Sequence, residues 1–316
     1  MNRKTFMLAV VGDSAAGKTT LTGGIVDALG RQNVTAICSD DYHRYNRKQR
    51  AENGISALEP AGNYLDIMEQ HFRLMREGQP ILKPIYNHHT GDFDPPEYIA
   101  PTRFMIVEGL LGLHTRRMRL NFDVKVYLDP PEELRRAWKI KRDTTKRGYT
   151  AEQVIASLEK RKDISPAYIH PQKAYADMIV TFYPPAEPRP NGDRTLNARL
   201  ILRPTMVHPD LTELIARSAG GPNESPAIHV ELGRWEGQPV DFVEIDGAVS
   251  QQKARELEDF INNHMLTQYD VNVDALGAYM DGNEPRKSYP LALTQLLITY
   301  HLVMAEQHAM REIERG

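Results

Sequence analysis

Residues 6–19 read Phe6-Met-Leu-Ala-Val-Val-Gly-Asp-Ser-Ala-Ala-Gly-Lys-Thr19, and this stretch decides the fold. The apolar residues 6–11 predict a buried strand, and the eight residues that follow match the pattern G-x-x-x-x-G-K-[ST]. Such a match arises by chance in about one chain of this length in a hundred. Because the loop also leads from a strand into a helix, we interpret it as a phosphate-binding loop. The alternative is a glycine-rich turn without a ligand.

The residue types of this loop suit a nucleoside triphosphate, ATP or GTP. Consecutive backbone N–H groups and the positive end of the following helix stabilise anionic oxygens. Lys18 adds a positive charge at the outer phosphates, and the Thr19 hydroxyl can ligate Mg²⁺. The predicted nucleotide-binding residues are Gly12, Asp13, Ser14, Ala15, Ala16, Gly17, Lys18, Thr19 and Thr20.

Further apolar runs alternate with helical stretches over the first two thirds of the chain. Strands are predicted at 34–37, 104–107, 124–128 and 178–182, and helices at about 18–30, 64–77, 131–145 and 150–162. Several of these runs are continuously apolar, as in strands that are covered on both faces of a parallel sheet. The alternation predicts an α/β fold with a doubly wound, mostly parallel sheet flanked by helices.

A breaker-rich segment at 184–192 separates this core from a C-terminal extension. We therefore predict a core at 1–183 and an extension at 184–316 that packs on the core as one domain. In the extension, strands are predicted at 198–202, 227–232 and 240–245, and helices at about 250–266 and 288–312. One face of the last helix is apolar, and we predict that this face packs in the core or against a second subunit. It comprises Leu293, Leu296, Leu297, Tyr300 and Met304.

The composition excludes several classes of protein. The 316 residues are 41% apolar and 26% charged, which is close to the average for soluble globular proteins and unlike disordered, collagen-like or coiled-coil chains. The net charge of −3 argues against a nucleic-acid binder. No apolar stretch approaches the roughly 18 residues of a membrane helix, so we expect a cytoplasmic protein without membrane contact.

Acidic residues follow or end two of the predicted strands and are candidates for a catalytic or metal-binding role. Asp40 and Asp41 follow the second strand, and Glu108 ends the strand at 104–107. Carboxyl ends of strands line the ligand crevice of a doubly wound sheet, so a carboxylate there can accept a proton from an attacking hydroxyl. Composition alone does not separate Asp40 from Asp41, and a helix cap is an equally good interpretation. Glu108 is a candidate Mg²⁺ ligand.

The segment 135–148 is dense in lysine and arginine and ends at a glycine. It predicts a mobile lid at about 139–150, whose arginines stabilise charge on the transferring phosphoryl group. The alternative is a solvated helix face, with Glu132, Glu133 and Asp143 as ion-pair partners.

Taken together, these motifs resemble the phosphoribulokinase and uridine kinase family of P-loop kinases. The resemblance covers about residues 5–182 and rests on five motifs in order: Gly12–Thr19; Asp40-Asp41-Tyr42-His43 with Arg47; Lys83-Pro-Ile-Tyr86-Asn87-His88; Val107-Glu108-Gly109; and Lys141-Arg142-Asp143 with Arg147-Gly148. Residues 157–163 and 167–177 are also similar to the family pattern. Beyond residue 183 the chain is similar to the family only in length and in its general pattern of strand-like and helical segments.

The resemblance implies an enzyme that uses ATP and Mg²⁺ to phosphorylate the C1 hydroxyl of ribulose 5-phosphate, as in carbon fixation by the Calvin cycle. It also implies a homodimer. The alternatives are a uridine or other nucleoside kinase and a kinase of another sugar phosphate. His43 and Arg47, with Tyr86 and His88, favour a phosphorylated acceptor, because a nucleoside needs no cationic group at its far end.

Carried over by position, the resemblance implies a role for each matching residue. Asp40 is the general base, Lys18 and Arg147 serve the ATP phosphates, and Thr19 and Glu108 serve Mg²⁺. The remaining candidates are His43, Arg47, Tyr86 and His88 for the acceptor, Lys139 as a weaker contact, Arg142 in the lid, and Asp143 as a second metal carboxylate or an arginine clamp.

The single cysteine, Cys38, departs from the chloroplast members of the family. Those members are similar at Cys38 but carry a second active-site cysteine where this chain has Ala16. Since one cysteine cannot form an internal disulfide, we predict activity that does not respond to dithiothreitol or mild oxidant.

Overall fold

The structure is a computed structural model that describes residues 5–187, 189, 195–206, 208–219, 226–265, 271–282 and 284–315. Its strands are β1 (Phe6–Gly12), β2 (Val34–Cys38), β3 (Ile81–Asn87), β4 (Asp92–Ile99), β5 (Phe104–Gly109), β6 (Val124–Leu128), β7 (Met178–Tyr183), β8 (Asn197–Leu202), β9 (Ile228–Trp235), β10 (Gln238–Ile245), β11 (Ala278–Asp281) and β12 (Glu284–Lys287).

The helices alternate with these strands over the first two thirds of the chain. They are α1 (Lys18–Leu29), α2 (Arg47–Asn53), α3 (Leu65–Arg76), α4 (Arg116–Arg119), α5 (Glu132–Lys146), α6 (Ala151–Lys160), α7 (Ile164–Tyr168), α8 (Leu211–Ser218), α9 (Gln251–Asn263) and α10 (Tyr289–Arg315).

The chain divides into two compact units that are interleaved in sequence. The first comprises the described parts of Met1–Lys18, Gln32–Leu128 and Glu132–Ala176, and the second those of Thr19–Arg31, Asp129–Pro131 and Asp177–Gly316. The predicted division at residue 183 stays a prediction. Residues 188 and 190–192 of the breaker-rich link, and residue 266 of the helix predicted at 250–266, lie outside the described residues.

The sheet of the first unit is parallel and follows the order β2-β5-β1-β6. Its two central strands, β1 and β5, are apolar and buried along nearly their whole length, as expected for strands covered on both faces. Each parallel pair requires a crossover connection, and helices supply these connections. The predicted α/β class, with a parallel core flanked by helices, is confirmed.

The second unit pairs its strands antiparallel, β7 with β8, β8 with β10 and β10 with β9. Helix α10 is buried on nearly every side from 290 to 303, so the predicted apolar stripe is core. Gln295 of α10 is fully buried and satisfies its amide within this unit. It donates to the carbonyl oxygens of Thr20 and Leu21 and accepts from the Gly277 amide.

All five core strands, all three later strands and the predicted helices are confirmed, with ends that differ by a few residues. The helix predicted at 150–162 ends at Lys160, before α7 begins. The sequence analysis did not predict the hairpins β3–β4 and β11–β12 or the helices α2, α4, α7 and α8. The hairpin β3–β4 is exposed along almost all of β4, α2 has no buried residue, and β11–β12 is exposed throughout.

Candidate active site

The loop after β1 has the backbone of a phosphate-binding turn. A Cβ atom on Gly12 would lie 2.6 Å from the backbone oxygen of Leu128, so only glycine fits there. Ala15 and Gly17 have φ angles of +67° and +97°, the left-handed region that turns consecutive N–H groups into an anion nest. The Lys18 ammonium donates to the carbonyl oxygens of Gly12 and Asp13, both at 2.9 Å.

Asp13 braces this loop from within. Its carboxylate accepts a hydrogen bond of 2.6 Å from the Ser14 N–H and lies 3.7 Å from Arg135 and 3.8 Å from His170. Burial acts to raise the pKa of Asp13, but these polar neighbours hold that pKa well below its ordinary value. The Asp13 side chain is therefore an anion engaged within the protein, and the place of this residue among the nucleotide-binding residues stays a prediction.

The register of the parallel strands places the loop beside both acidic strand ends. Val10 of β1 pairs with Glu108 of β5, and Glu108 pairs with Cys38 of β2. Gly12 and Asp40 each lie two residues beyond these paired positions. The carboxyl ends of β1, β2 and β5 thus bring the phosphate loop, Asp40 and Glu108 to one edge of the sheet, where ligands bind in such folds.

The two adjacent aspartates have different surroundings. Asp41 accepts hydrogen bonds from the buried Lys83 ammonium and, at 2.9 Å, from the Tyr86 N–H. The Asp40 carboxylate makes no hydrogen bond or ion pair with any residue that the structure describes. Its negative charge nevertheless acts to raise the pKa values of His43 and Arg147. Asp41 is a structural residue, and Asp40 is the carboxylate with free lone pairs at the strand end.

His43 is buried and has a defined tautomer. Its Nδ1 lies 2.8 Å from Oδ1 of Asn63, whose amide nitrogen donates to the carbonyls of Ala57 and Glu59. Because the Asn63 nitrogen is engaged by these carbonyls, its oxygen faces the imidazole ring. His43 therefore donates to that oxygen through Nδ1, and in the neutral ring Nε2 is a hydrogen-bond acceptor. Burial lowers the pKa of His43, against the opposing charge of Asp40, and favours that neutral form.

Tyr86 is the centre of an aromatic cluster on the hairpin. Its ring lies edge-on to His43, His88 and Phe93, at centroid distances of 4.8, 5.1 and 5.7 Å. Its hydroxyl accepts a 2.6 Å hydrogen bond from Arg50. Burial is also the main cause that lowers the pKa of His88. The predicted acceptor residues His43, Tyr86 and His88 are therefore brought together.

Arg47 begins α2 and lies at the exposed edge of this cluster. Its backbone N–H donates to the Gly91 carbonyl at 2.8 Å, and its guanidinium donates to the His88 carbonyl. The guanidinium also lies 5.9 Å from the centre of the Tyr149 ring. Arg47 thus presents an accessible positive charge next to His88.

The predicted lid contains a buried carboxylate, Asp143, with three cations around it, of which Lys139 is buried, Arg142 is partly exposed and Arg147 is exposed. Asp143 accepts hydrogen bonds of 2.8 Å from Lys139 and from Arg142, and Arg147 lies 3.7 Å away. Burial would raise the pKa of Asp143, but the hydrogen bonds of Arg142 and Lys139 hold it below its ordinary value. Since both of its oxygens are engaged, the geometry favours the arginine clamp over the metal carboxylate. Burial also lowers the pKa of Lys139 to about 8.

The sequence analysis assigned no role to three cations of this region. Arg50 contacts Tyr86, Lys83 neutralises Asp41, and Arg161 lies close enough to Asp13 and Asp143 for their charges to act on its pKa. Arg50 follows Arg47 by three residues, so helical spacing could have indicated it. A cavity of about 380 Å³ opens between the phosphate loop, α5 and the segment 158–170, and Arg161 is among its lining residues.

The oxygen donors present suit Mg²⁺. Among the residues that the structure describes, no group of three or more His, Cys, Asp and Glu side chains could hold a metal by itself. Mg²⁺ in phosphotransfer sites takes one or two protein oxygens, together with waters and nucleotide phosphates. Glu108 at the strand end and the hydroxyl of Thr19, the residue after Lys18, are donors of that kind.

Comparisons with known proteins show which family this chain belongs to. A model of the phosphoribulokinase/uridine kinase family matches residues 7–187. The phosphoribulokinase of Synechocystis sp. is 34% identical over 275 residues, which are 83% of this chain and 81% of that protein. The chloroplastic phosphoribulokinase of Mesembryanthemum crystallinum is 37% identical over 216 residues, 63% of this chain and 54% of that protein.

The fold is also similar to that of a solved structure. The phosphoribulokinase from Rhodobacter spheroides superposes with a TM-score of 0.58 at 20% identity, over 82% of this chain and 99% of that one. Because the family model covers more than half of the chain and the cyanobacterial relative matches most of it, the chain belongs to the phosphoribulokinase/uridine kinase family.

Proposed function

We propose that this chain transfers the γ-phosphoryl group of ATP to the C1 hydroxyl of ribulose 5-phosphate, yielding ribulose 1,5-bisphosphate and ADP. In organisms that fix carbon through the Calvin cycle, this reaction supplies the bisphosphate acceptor. The curated relatives that match over most of the chain carry the name phosphoribulokinase, which supports the choice of acceptor.

The observation that carries the proposal is the state of Asp40. It stands at the edge of the sheet that holds the phosphate loop, without a hydrogen-bond partner among the described residues, while Asp41 is tied to Lys83. A general base must have a free lone pair within reach of the proton that it removes. Asp40 therefore takes the proton from the C1 hydroxyl as the oxygen attacks the γ-phosphorus.

The acceptor is held by two different kinds of group. Nε2 of neutral His43 accepts a hydrogen bond from a hydroxyl of the sugar. The accessible guanidinium of Arg47 binds the 5-phosphate, since a planar fork of N–H donors matches phosphate oxygens. Tyr86 packs against both His43 and His88 and keeps the two imidazoles in place.

The nucleotide and the developing charge are held by the loop and the lid. Backbone N–H groups of residues 13–20 and the Lys18 ammonium bind the ATP phosphates. Arg142 and Arg147 stabilise the charge that spreads over the γ-phosphoryl oxygens in the transition state. Asp143 orients Arg142, and Lys139 keeps Asp143 ionised. Thr19 and Glu108 would hold Mg²⁺, which when bound neutralises charge on the phosphates.

A nucleoside kinase is the second candidate, because the family model that matches residues 7–187 also includes uridine kinases. The cationic edge at Arg47 favours a phosphorylated acceptor over a nucleoside. A kinase of another sugar phosphate would use the same groups.

Assembly and location are part of the proposal. We propose a homodimer in the cytoplasm that contacts neither nucleic acid nor membrane, in which residues 184–316 pack on the core. Within the described residues, no helix combines the length and the apolarity that crossing a bilayer requires. Light scattering on the purified protein measures the mass of the assembly.

Release of ADP in the presence of Mg-ATP tests the proposed acceptor. Ribulose 5-phosphate, ribose 5-phosphate and uridine are compared at equal concentration, with Asp40→Asn as the control variant. We expect turnover with ribulose 5-phosphate that is lost in the variant. Turnover with uridine instead would overturn the assignment of His43 and Arg47. The absence of turnover with all three acceptors would overturn the function.

A further inference from the structure

Arg135 connects the lid helix to the phosphate loop. The residue is 8% exposed on α5, and its Nη1 donates a 3.0 Å hydrogen bond to the backbone oxygen of Ser14. Its Nε and Nη2 donate to the two carboxylate oxygens of Glu132, both at 2.7 Å. One edge of the guanidinium is therefore fixed by α5 itself. The other edge is directed at the loop, where Nη1 makes its hydrogen bond to the Ser14 oxygen and also lies 3.7 Å from the Asp13 carboxylate.

That carbonyl belongs to a strained turn. The Ala16 N–H donates to the Asp13 carbonyl at 3.1 Å, which closes a four-residue turn with Ala15 in its third position. The φ angle of +67° at Ala15 is the mark of a type II turn, in which that position strongly prefers glycine. An alanine side chain favours the type I turn, where the third residue has a negative φ.

The two turn types differ in the direction of the middle peptide, which here joins Ser14 to Ala15. No described peptide bond is cis, and the C=O and N–H of a trans peptide point in opposite directions. The hydrogen bond from Arg135 to the Ser14 oxygen therefore keeps the Ala15 N–H on the other side. After a flip to type I, the loop would present a carbonyl oxygen to the phosphates where it now presents an N–H donor.

We propose that Arg135 is a positioning residue that holds the Ser14–Ala15 peptide in its phosphate-binding direction, with Glu132 holding Arg135 in turn. The inference deepens the proposed function and rests on its nucleotide site, but not on the identity of the acceptor. It also gives Arg135 a role other than that of a solvated face of α5.

The test is the affinity for Mg-ADP, measured by titration calorimetry on the whole chain without any acceptor. We expect R135Q to weaken binding about tenfold or more, since a donor to the loop is lost. The matched control is R136Q on the same helix. Arg136 pairs with Glu159 at 3.0 Å and makes no hydrogen bond to the loop, so R136Q is expected to bind within about twofold of the original chain.

The A15G substitution separates peptide positioning from a general loss of structure. Glycine favours the type II turn by itself, so A15G/R135Q is expected to bind Mg-ADP clearly more tightly than R135Q, with the penalty of R135Q reduced to about threefold or less in the A15G background. R135Q and A15G/R135Q both lack the guanidinium, so any loss of stability that its removal causes is the same in both and does not affect the comparison of their affinities. If R135Q does not fold, R135M, whose side chain carries no N–H donor, replaces it in the same comparison.

Two results would overturn the inference. One is R135Q binding Mg-ADP as tightly as R136Q, and the other is an equal R135Q penalty with and without A15G. A failure of the proposed function has a different signature. In that case the original chain and its variants follow the expected order of Mg-ADP affinities, but ribulose 5-phosphate gives no turnover.

Discussion

The ammonium of Lys83 donates a hydrogen bond to the carboxylate of Asp41 from a position that is 5% exposed. The Tyr86 N–H donates to the other oxygen of the same carboxylate. This arrangement joins the hairpin β3–β4 to the segment that follows β2. It also distinguishes two neighbouring aspartates, because both oxygens of Asp41 accept hydrogen bonds, whereas the Asp40 carboxylate has no hydrogen-bond partner among the described residues.

The first prediction compares Asp40→Asn with Asp41→Asn. We expect D40N to lower kcat about 10²- to 10⁴-fold, the usual contribution of a general base, with its melting temperature and Mg-ADP affinity nearly unchanged. We expect D41N to lose about 3–5 kcal/mol of unfolding free energy, because it leaves the Lys83 charge buried and unpaired. Steady-state kinetics and thermal unfolding measure these effects. A D40N enzyme of nearly full activity would make Asp41 or Asp143 the better base.

The second prediction concerns the acceptor phosphate. We expect Arg47→Ala to raise the KM for ribulose 5-phosphate about tenfold or more, and to change the KM for ATP by about twofold at most. Arg44→Ala is the matched control, since Arg44 is exposed and packs 5.1 Å from the centre of the Tyr64 ring. An unchanged KM in R47A would place the phosphate elsewhere.

The third prediction is a pH dependence. Burial lowers the pKa of Lys139 to about 8 from the ordinary 10.5, so its ammonium is present below pH 8 and is lost above it. Asp143 then lacks one of its two hydrogen-bonded cations. We expect kcat/KM, which reports on the free enzyme, to fall above about pH 8, and K139R to move this fall to higher pH.

Unfolding does not mimic this effect. Between about pH 8 and 10.5 the unfolded chain binds more protons at Lys139 than the folded chain does. The contribution of Lys139 to the unfolding free energy therefore rises with pH over this range. The assignment to Lys139 would be contradicted if, in both K139R and the original chain, activity fell at the same pH at which the protein unfolds.

The fourth prediction concerns redox state. Burial, with the charges of Asp40 and Glu108 next in importance, raises the pKa of the Cys38 thiol well above its ordinary value, and the thiolate is the reactive form. We expect dithiothreitol and mild oxidant to leave the rate of phosphate transfer unchanged. A reversible loss of activity on oxidation, without disulfide-linked dimers, would disprove this expectation.

The sequence predicted the elements of the core and failed for the hairpin. Continuous apolar runs such as residues 6–11 and 104–107 indicate buried strands, because a strand covered on both faces has no polar side. The hairpin β3–β4 lacks both an apolar run and a regular alternation, and its register shifts at Pro84, where no N–H is available. Helix α2 did carry a signal, the capping box of Asn46 and Gln49, which is typical of a helix start.

The candidate site divides along the same line. The glycine–lysine motif, the acidic strand ends and the basic lid are each contiguous in sequence, so the residues alone predicted a phosphate-binding loop and the side chains available to it. Which aspartate is free, which tautomer His43 adopts and which carbonyl Arg135 holds were decided only by tertiary structure. Each of these depends on a partner distant in sequence, namely Lys83, Asn63 and Ser14, and hydrogen bonding to that partner decides the chemistry of the group.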